Sequence, residues 1–379
     1  MSERGVPDER GRFLIVTWDG GGNTTPALNL GQRLVLDGHE VTVLGWTSMA
    51  AAVASAGLAF AGYPSMSPWP VGVMAEDLWA ELVEPMLHGT TTVDDILDVA
   101  DTVRPSVLIV DCMMGAAFAA ASKLGLPTAV LVHVRYRPFV DMWGDQIMHT
   151  SAIELLSAAD VVLALTAPSF DGASDALPAN TTYVGPILPP LADEASMLVP
   201  ELEILREPGD PWVLLSLSTT DQGQRAALPP ILEALRGLPI RVLLTLGGVL
   251  AADIVDVPAN VVVRGYVPHA QVLPYVAAVV CHGGLSTITA TLAHGVPLVC
   301  VPQGREQPLN ARAVEECGAG KAVAIDATPA EITAAVRSVL SDDTIRAAAA
   351  SFADADPGHG ATRLVEELLS ARRSTAKER

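Results

Sequence analysis

The chain has 379 residues, half of them apolar and 17% charged, which is enough apolar material for two ordinary domain cores. Its 23 basic and 43 acidic residues give a net charge of −20, which argues against nucleic acid or an anionic membrane as a partner. The charged first residues lack the apolar core of a signal peptide, and no run of about 18 apolar residues predicts a membrane helix, so we expect a cytoplasmic protein without a stable membrane anchor.

The first half of the chain alternates short apolar runs with segments of helical periodicity. The apolar runs predict buried strands at Phe13–Trp18, Val41–Leu44, Val107–Val110, Thr128–Val132 and Val161–Leu165. The periodic segments predict helices at Pro26–Asp37, Val73–His88, Val93–Val103, Ala116–Leu124 and Asp145–Ala158.

The second half repeats the same alternation. Strands are predicted at Val213–Leu217, Arg241–Leu246, Val261–Arg264, Val279–Cys281, Pro297–Val301 and Ala322–Ile325. Helices are predicted at Arg225–Arg236, Pro268–Val276, Ser286–Ala293, Pro308–Cys317, Pro329–Leu340 and Ala361–Arg372.

A proline-rich stretch without periodicity separates the halves near residues 186 to 210, and we interpret it as a linker. We therefore predict domains of residues 1–200 and 201–379. Because continuous apolar strands alternate with helices, the predicted fold class is α/β, with two Rossmann-like, doubly wound parallel-sheet domains. In such folds ligands bind at the carboxyl ends of the strands, here in a cleft between facing domains.

The stretch "WDGGGNTTP" follows the first predicted strand, where a dinucleotide-binding protein has its phosphate loop. The G-x-G-x-x-G fingerprint is incomplete, because Thr25 stands where the third glycine belongs. The second strand, in "VTVLGWTS", ends without the acidic residue that binds the ribose of NAD. A nicotinamide-dependent oxidoreductase is therefore a disfavoured alternative.

The stretch "HGGLST" in the second half has better features for binding an anion. Gly283 and Gly284 permit a tight turn and a close approach of the backbone to a ligand. The helix expected from Ser286 would direct its first-turn amides and its dipole at that point. The side chains of His282, Ser286 and Thr287 add donors. The alternative is an ordinary turn between a strand and a helix.

The four cysteines, Cys112, Cys281, Cys300 and Cys317, lie in apolar segments without the spacing of metal ligands. We expect reduced core thiols and no metal site.

The order and spacing of "YVPH", "HGGLST", "GVP" and "PQG-x-EQ" resemble the donor-site signature of family 1 nucleotide-sugar glycosyltransferases, especially the bacterial natural-product branch. The resemblance extends over nearly the whole chain and is looser in the first half. It implies the GT-B fold, with a last helix (about 361–373) that packs back on the N-terminal domain. It also implies inverting transfer of a sugar from a nucleotide-sugar co-substrate, without a further cofactor.

Carried over by position, the resemblance gives roles to individual residues. The diphosphate would be held at His282, Gly283, Gly284, Ser286, Thr287, Ser218 and Thr219. Tyr266 would stack on the base, and the backbone of Val267 would read the base edge. Glu306 and Gln307 would bind the sugar hydroxyls.

Two departures from the family pattern affect the expected donor. Glu306 stands where aspartate is usual, and its extra methylene shifts the carboxylate by roughly 1.5 Å, a bond length. Ala290 stands where many members have a glutamate that accepts hydrogen bonds from the ribose. Without that acceptor the site cannot favour ribose over deoxyribose, so we expect a dTDP-sugar, with UDP-sugars left open.

The expected catalytic base is missing. In the resembling enzymes a histidine three residues before a proline takes the proton of the acceptor, often with an aspartate as partner. Counting back from Pro26 gives Asn23, whose amide has no titratable lone pair. The preferred substitute is Asp111, with a raised pKa if its surroundings are apolar. His133, Asp19, an unidentified base, an acidic acceptor and loss of catalysis are the alternatives.

Segments rich in aromatic residues and methionine, at residues 63–88 and 133–149, suit an apolar small-molecule acceptor. Asn23 also motivates a different class of function, a catalytically silent homologue that binds or activates a partner enzyme. The sequence does not identify the sugar, the acceptor or the type of glycosidic bond. The oligomeric state also stays open, and a homodimer is one alternative.

Overall fold

The computed structural model describes residues 10–65, 83–172, 177–190, 200–218, 223–247, 256–265, 267–354 and 356–377. Contacts divide the described residues into two compact units. The first unit draws on Met1–Leu165, Ser174–Pro190 and Gly358–Arg379, and the second on Thr166–Ala173 and Leu191–Pro357.

A seven-stranded parallel sheet, in the order β3-β2-β1-β4-β5-β6-β7, forms the centre of the first unit. Its strands are β1 Arg12–Val16, β2 Glu40–Gly45, β3 Ala59–Gly62, β4 Val107–Asp111, β5 Thr128–Val132, β6 Val161–Ala164 and β7 Thr181–Tyr183. The central strands β4 and β5 are buried along their whole length, as expected for a sheet covered on both faces.

Helices follow the strands of the first unit. They are α1 Thr24–Leu36, α2 Ala50–Ser55, α3 Glu84–His88, α4 Thr90–Val103, α5 Gly115–Leu124, α6 Tyr136–Pro138, α7 Gly144–Met148 and α8 Ala152–Ala158, with a 3₁₀ turn at Thr47–Met49 and a π-helical turn at Phe139–Trp143.

The second unit has a six-stranded parallel sheet in the order β10-β9-β8-β11-β12-β13. Its strands are β8 Trp212–Ser216, β9 Arg241–Thr245, β10 Val261–Arg264, β11 Val276–Cys281, β12 Leu298–Cys300 and β13 Gly320–Ala322. Its helices are α9 Pro168–Asp171, α10 Gln224–Leu235, α11 His269–Val272, α12 Leu285–Ala293, α13 Gln307–Glu316, α14 Pro329–Ser341 and α15 Asp343–Ala350, with 3₁₀ turns at Pro200–Arg206 and Leu273–Tyr275. Two parallel-sheet, Rossmann-like units confirm the predicted fold class.

The last helix, α16 (His359–Lys377), belongs to the first unit. Its residues Ala361, Val365 and Leu369 are buried in the same apolar cluster as β1. Glu366 Oε1 lies 3.0 Å from His39 Nε2, and the Arg372 guanidinium donates to the Ser106 carbonyl. The continuous part of the second unit therefore lies, in sequence, between the body of the first unit and its last helix.

Several predicted boundaries are wrong for local reasons. The predicted helix Asp145–Ala158 is two helices, because His149 has a φ of 55° and Ser151 caps the second one through the Glu154 amide. The predicted helix Pro268–Val276 ends early, since β11 already begins at Val276. The last strand of the second sheet begins two residues before its predicted start, at Gly320.

Other elements were missed. The edge strands β3 and β7 are short and only partly buried, so they lack a continuous apolar run. The alanine-rich helix α15 is separated from α14 by Asp342 alone, so no loop signal in the sequence marks its start. Of the predicted helix Val73–His88, only Glu84–His88 is seen as a helix, and residues 73–82 lie outside the described residues.

The strand register brings three strand ends to one edge of the first sheet. Val16 of β1 pairs with Val110 of β4, and Asp111 pairs with Leu131 of β5. The residues that follow these strands therefore emerge side by side, as the topology of a parallel sheet requires.

Candidate functional site

Asp111, at the end of β4, is the centre of a buried hydrogen-bond network in the first unit. Its Oδ1 accepts the Met113 amide at 2.9 Å and lies 3.0 Å from His133 Nε2. Its Oδ2 accepts Asn23 Nδ2 at 2.8 Å and the Thr17 hydroxyl at 3.4 Å. The side chain of Asp111 is 3% exposed and that of His133 is 9% exposed. The structure thus brings together three of the four predicted catalytic candidates.

The Asn23 side chain bonds to protein groups through both ends. Besides Asp111, its Nδ2 donates to the Trp18 carbonyl at 2.8 Å and to the Thr17 hydroxyl at 3.2 Å. Its Oδ1 accepts the Gly20 amide at 3.1 Å. Asn23 is 3% exposed and does not cap α1 with its side chain. It therefore fastens the glycine-rich loop to the end of β4.

Asp111 and His133 form an ion pair. Burial raises the pKa of Asp111, but the charge and hydrogen bond of His133, the Met113 amide and Asn23 together lower it below its usual value. Burial lowers the pKa of His133, yet Asp111, with a smaller contribution from Cys112, holds it well above 6.5. The condition set for a raised pKa of Asp111, apolar surroundings, is not met, because hydrogen-bond donors surround the carboxylate.

Asp19 takes no part in the hydrogen bonds described for this network. Its carboxylate is exposed and accepts the Ser48 hydroxyl at 2.6 Å. Thr17 and Tyr63 were not predicted as network members. Tyr63 is buried and donates its hydroxyl to the Thr17 carbonyl at 3.0 Å, and burial raises the pKa of that phenol.

Asp111, Cys112 and His133 present ligand-type atoms within 4.8 Å of one another. Both carboxylate oxygens are already hydrogen-bonded, and burial raises the pKa of the Cys112 thiol, so it stays protonated. A metal needs the thiolate and bare carboxylate lone pairs. We therefore interpret the trio as a hydrogen-bonded cluster.

The predicted anion-binding turn lies between β11 and α12 in the second unit. Gly283 has a φ of +89°, which favours glycine, and its carbonyl accepts Asn310 Nδ2 at 3.0 Å. Gly284 is the N-cap of α12 and accepts the first helical bond, from Ile288, at 3.1 Å. The backbone amides of α12 that precede Ile288 take no part in the hydrogen bonds of the helix. This terminus can therefore bind an anion.

His282 is packed against this turn. A Cβ built on Gly284 would lie 2.9 Å from Cε1 of His282 and closer still to Nε2, so only glycine leaves room for the ring. Burial lowers the pKa of His282 to about 4, although a hydrogen bond to the Ser216 backbone acts in the opposite direction. Its Nδ1 is buried and has no hydrogen-bond partner among the described residues.

His269 is a second neutral histidine of the second unit, and sequence reasoning gave it no role. Burial lowers its pKa to about 4. Its Nε2 lies 2.9 Å from the Ser216 hydroxyl, which accepts the Thr245 hydroxyl at 3.0 Å. Its place in "YVPH" was a usable signal, because it is the one titratable residue of that motif besides the tyrosine.

The other predicted donor residues fall into three groups. Thr219 and Tyr266 lie outside the described residues. Ser218 and Val267 are buried at 5% and 8% exposure, while Ser286 and Thr287 lie in the first turn of α12. Ser218, Val267, Ser286 and Thr287 all belong to the second unit, as predicted for that half of the chain.

The predicted sugar-binding pair lies at the start of α13. Glu306 is the N-cap residue of α13. Gln307 is 1% exposed, and its Oε1 accepts the Gln303 amide at 2.8 Å. The side-chain Oε1 and Nε2 of Gln303 are buried without a partner among the described residues. Sequence reasoning did not select Gln303.

No helix among the described residues has the length and apolar character needed to cross a membrane.

Residues 230–366 match the family model for the erythromycin biosynthesis protein CIII-like C-terminal domain. The chain is 38% identical over 170 residues to demethyllactenocin mycarosyltransferase of Streptomyces fradiae, an alignment that spans 43% of this chain and 35% of that relative.

Two solved structures share the fold. The glycotransferase of kitacinnamycin has a TM-score of 0.73 at 24% identity, covering 96% of this chain and 99% of the other. Glycosyltransferase VinC in complex with dTDP has a TM-score of 0.67 at 22% identity, covering 94% and 99%. The fold is thus that of the GT-B glycosyltransferases. In sequence the chain is similar to bacterial antibiotic and natural-product glycosyltransferases, which confirms the predicted resemblance.

Proposed function

We propose that the protein is an inverting glycosyltransferase that moves a sugar from a nucleoside-diphosphate sugar to an apolar natural product. The observation that carries the proposal is the turn between β11 and α12, where the buried Nδ1 of His282 has no hydrogen-bond partner in the part of the chain that the structure describes. A helix N-terminus and an imidazole can bind a diphosphate through local dipoles and hydrogen bonds. Such local groups are needed here, because the net charge of −20 repels anions.

The same groups support the chemistry of transfer. As the bond between the anomeric carbon and the phosphate oxygen breaks, negative charge grows on the leaving diphosphate. Preorganised amides and the helix dipole stabilise that charge, an effect commonly worth several kcal/mol. His282 is neutral before binding, because its pKa is about 4. A diphosphate beside Nδ1 raises that pKa, so the ring can take up a proton and donate it to the phosphate.

The nucleotide is proposed to be dTDP rather than UDP. Ala290, on α12, supplies no carboxylate to the ribose 2′-hydroxyl, so deoxyribose loses nothing in this site. A solved structure with this fold contains dTDP, which is consistent with the same choice here.

The sugar is proposed to lie against Glu306 and Gln303. The Oε1 atom of Gln307 already accepts a backbone amide, whereas both polar atoms of the Gln303 carboxamide lack partners among the described residues. Buried polar atoms without partners cost free energy, which sugar hydroxyls would recover. The relative with 38% identity is named for transfer of mycarose, which favours 6-deoxysugars as the first donors to test.

Titration calorimetry of the full chain with dTDP, UDP and NADH tests the donor site. We expect dTDP to bind more tightly than UDP, NADH not to bind, and His282→Ala to weaken dTDP binding at least tenfold. His149→Ala, at a half-exposed histidine of the first unit, is the matched control and should bind dTDP like the native protein. Absence of dTDP and UDP binding would refute the donor site, and equal affinities would refute the nucleotide preference.

Turnover separates the enzyme from a silent homologue. Release of dTDP from dTDP-glucose and dTDP-L-rhamnose is followed with water, phenols and aliphatic alcohols as acceptors. Transfer or hydrolysis supports the enzyme. Donor binding without any release of dTDP would instead support the silent homologue that Asn23 suggests.

A further inference from the structure

The family histidine is absent, but another histidine contacts the same aspartate. Asn23 stands at the position of the family base and donates to Asp111 Oδ2 at 2.8 Å. His133, which follows β5, meets the other oxygen of that carboxylate at 3.0 Å. Asp111 therefore has a histidine partner that comes from a different strand end.

Asp111 is a poor proton acceptor in this arrangement. Its two oxygens receive four hydrogen bonds, and it is 3% exposed. Each donor stabilises the charged carboxylate, and their sum with the charge of His133 lowers its pKa. A carboxylate with these partners orients another group better than it removes a proton.

His133 is the more exposed member of the pair, and its ring has two nitrogen atoms with different roles. Nε2 faces Asp111, so a proton on Nε2 leaves Nδ1 as the basic atom of the neutral ring. This tautomer is fixed by the carboxylate in the way that aspartate fixes a histidine base in other acyl- and group-transfer enzymes.

We propose that His133 is the general base of the transfer reaction, with Asp111 and Asn23 as its positioning residues. The inference rests on the proposed glycosyltransferase function. Nδ1 of His133 takes the proton of the acceptor hydroxyl as the acceptor oxygen bonds to the anomeric carbon. The bond between that carbon and the diphosphate oxygen breaks, its electron pair leaves with the nucleoside diphosphate, and the imidazolium then releases its proton to water.

The charges around His133 set the pH dependence. Among the described residues, the titratable groups that act on the ring are Asp111 and Cys112, both from the end of β4. The thiol is neutral because burial raises its pKa, so the carboxylate dominates. Since the pKa of His133 is raised, more of the ring is protonated at neutral pH. The rate should therefore increase as the pH rises above neutrality.

The first test is His133→Gln, which can still bond to Asp111 but cannot accept a proton. Turnover of dTDP-glucose and dTDP-L-rhamnose with an aliphatic alcohol or water should fall by roughly 10² to 10⁴, the usual contribution of a general base. With 4-nitrophenol, which ionises by itself near neutral pH, the fall should be much smaller. His359→Gln, the same exchange at an exposed position at the start of α16, should keep native rates.

The second test restores the family residue. Asn23→His in the His133→Gln protein puts an imidazole back on Asp111 from the opening loop, and it should recover at least tenfold in rate. The alkaline rise of the native pH profile should vanish in His133→Gln and return in the double variant. A purely structural role for His133 predicts neither the rescue nor the change in profile.

The outcomes also distinguish this inference from the proposed function. Calorimetric binding of dTDP should be native in His133→Gln, because the donor residues belong to the other unit. Native turnover with an alcohol in His133→Gln overturns the base assignment and leaves the transferase intact. Loss of rate that is equal for alcohol and nitrophenol also overturns it. Donor binding without turnover in the native protein overturns both.

Discussion

The substitution Gly284→Ala tests the geometry of the donor site with one added carbon atom. Gly284 has φ −65° and ψ 134°, which alanine adopts without strain, so the backbone of α12 should not change. The new Cβ would lie 2.9 Å from His282 Cε1, whereas ordinary contacts begin at 3.4 Å. The ring of His282 must therefore move and give up its bond to the Ser216 backbone.

The expected loss follows from the bond that His282 makes to the diphosphate. A hydrogen bond to a charged group contributes about 1.5–3 kcal/mol. Since about 1.4 kcal/mol corresponds to tenfold in affinity, dTDP should bind roughly 10- to 150-fold more weakly. Calorimetry on the full chain at pH 7 measures this directly, and circular dichroism checks that the fold persists.

The matched control is Gly360→Ala in α16. A Cβ at Gly360 would meet its nearest neighbours, atoms of Val184, at 3.9 Å, which is ordinary contact. Gly360→Ala should therefore bind dTDP like the native protein. Native affinity in Gly284→Ala would refute the assignment of His282 to the diphosphate.

Two further predictions concern stability. The pKa values of His269 and His282 are lowered to about 4 by burial, so the unfolded chain, with histidines near 6.5, binds protons more readily. Stability is fully present above about pH 6.5 and decreases toward pH 4, by up to about 3 kcal/mol per histidine. Thermal unfolding between pH 7.5 and 5 measures this, and an unchanged pH dependence in His269→Gln would contradict it. Leu369→Ala, 4% exposed in the core of the first unit, should cost about 2–5 kcal/mol in chemical denaturation, whereas a cost below 1 kcal/mol would contradict the packing of α16.

The positions of the candidate catalytic residues Asp111 and His133 could be predicted from the sequence, because both residues lie at the ends of predicted strands. Asp111 ends an apolar run, His133 follows the next strand, and parallel strands deliver their carboxyl ends to one edge. The glycine pair before α12 was equally legible, since a positive φ at Gly283 and the lack of a side chain at Gly284 are both needed there.

The bonds among those residues could not be predicted, because they depend on side-chain directions. The spacing of Asn23, Asp111 and His133 does not reveal that Asn23 and His133 bond to the same Asp111 carboxylate. It also does not reveal that these donors lower the pKa of Asp111 rather than raise it. The motif that contains Gln307 likewise does not reveal that its Oε1 accepts the backbone amide of Gln303, four residues away. Such local competition between side chain and backbone leaves no trace in a motif.

The return of α16 to the first unit has a consequence for synthesis on the ribosome. Ala361, Val365 and Leu369 complete a core whose other members, such as Phe13, are made several hundred residues earlier. A nascent chain therefore carries an unfinished apolar core while the continuous part of the second unit, Leu191–Pro357, already has all of its own residues. The core of the earlier-made unit is therefore complete only when the final helix has been made, after every residue of the second unit.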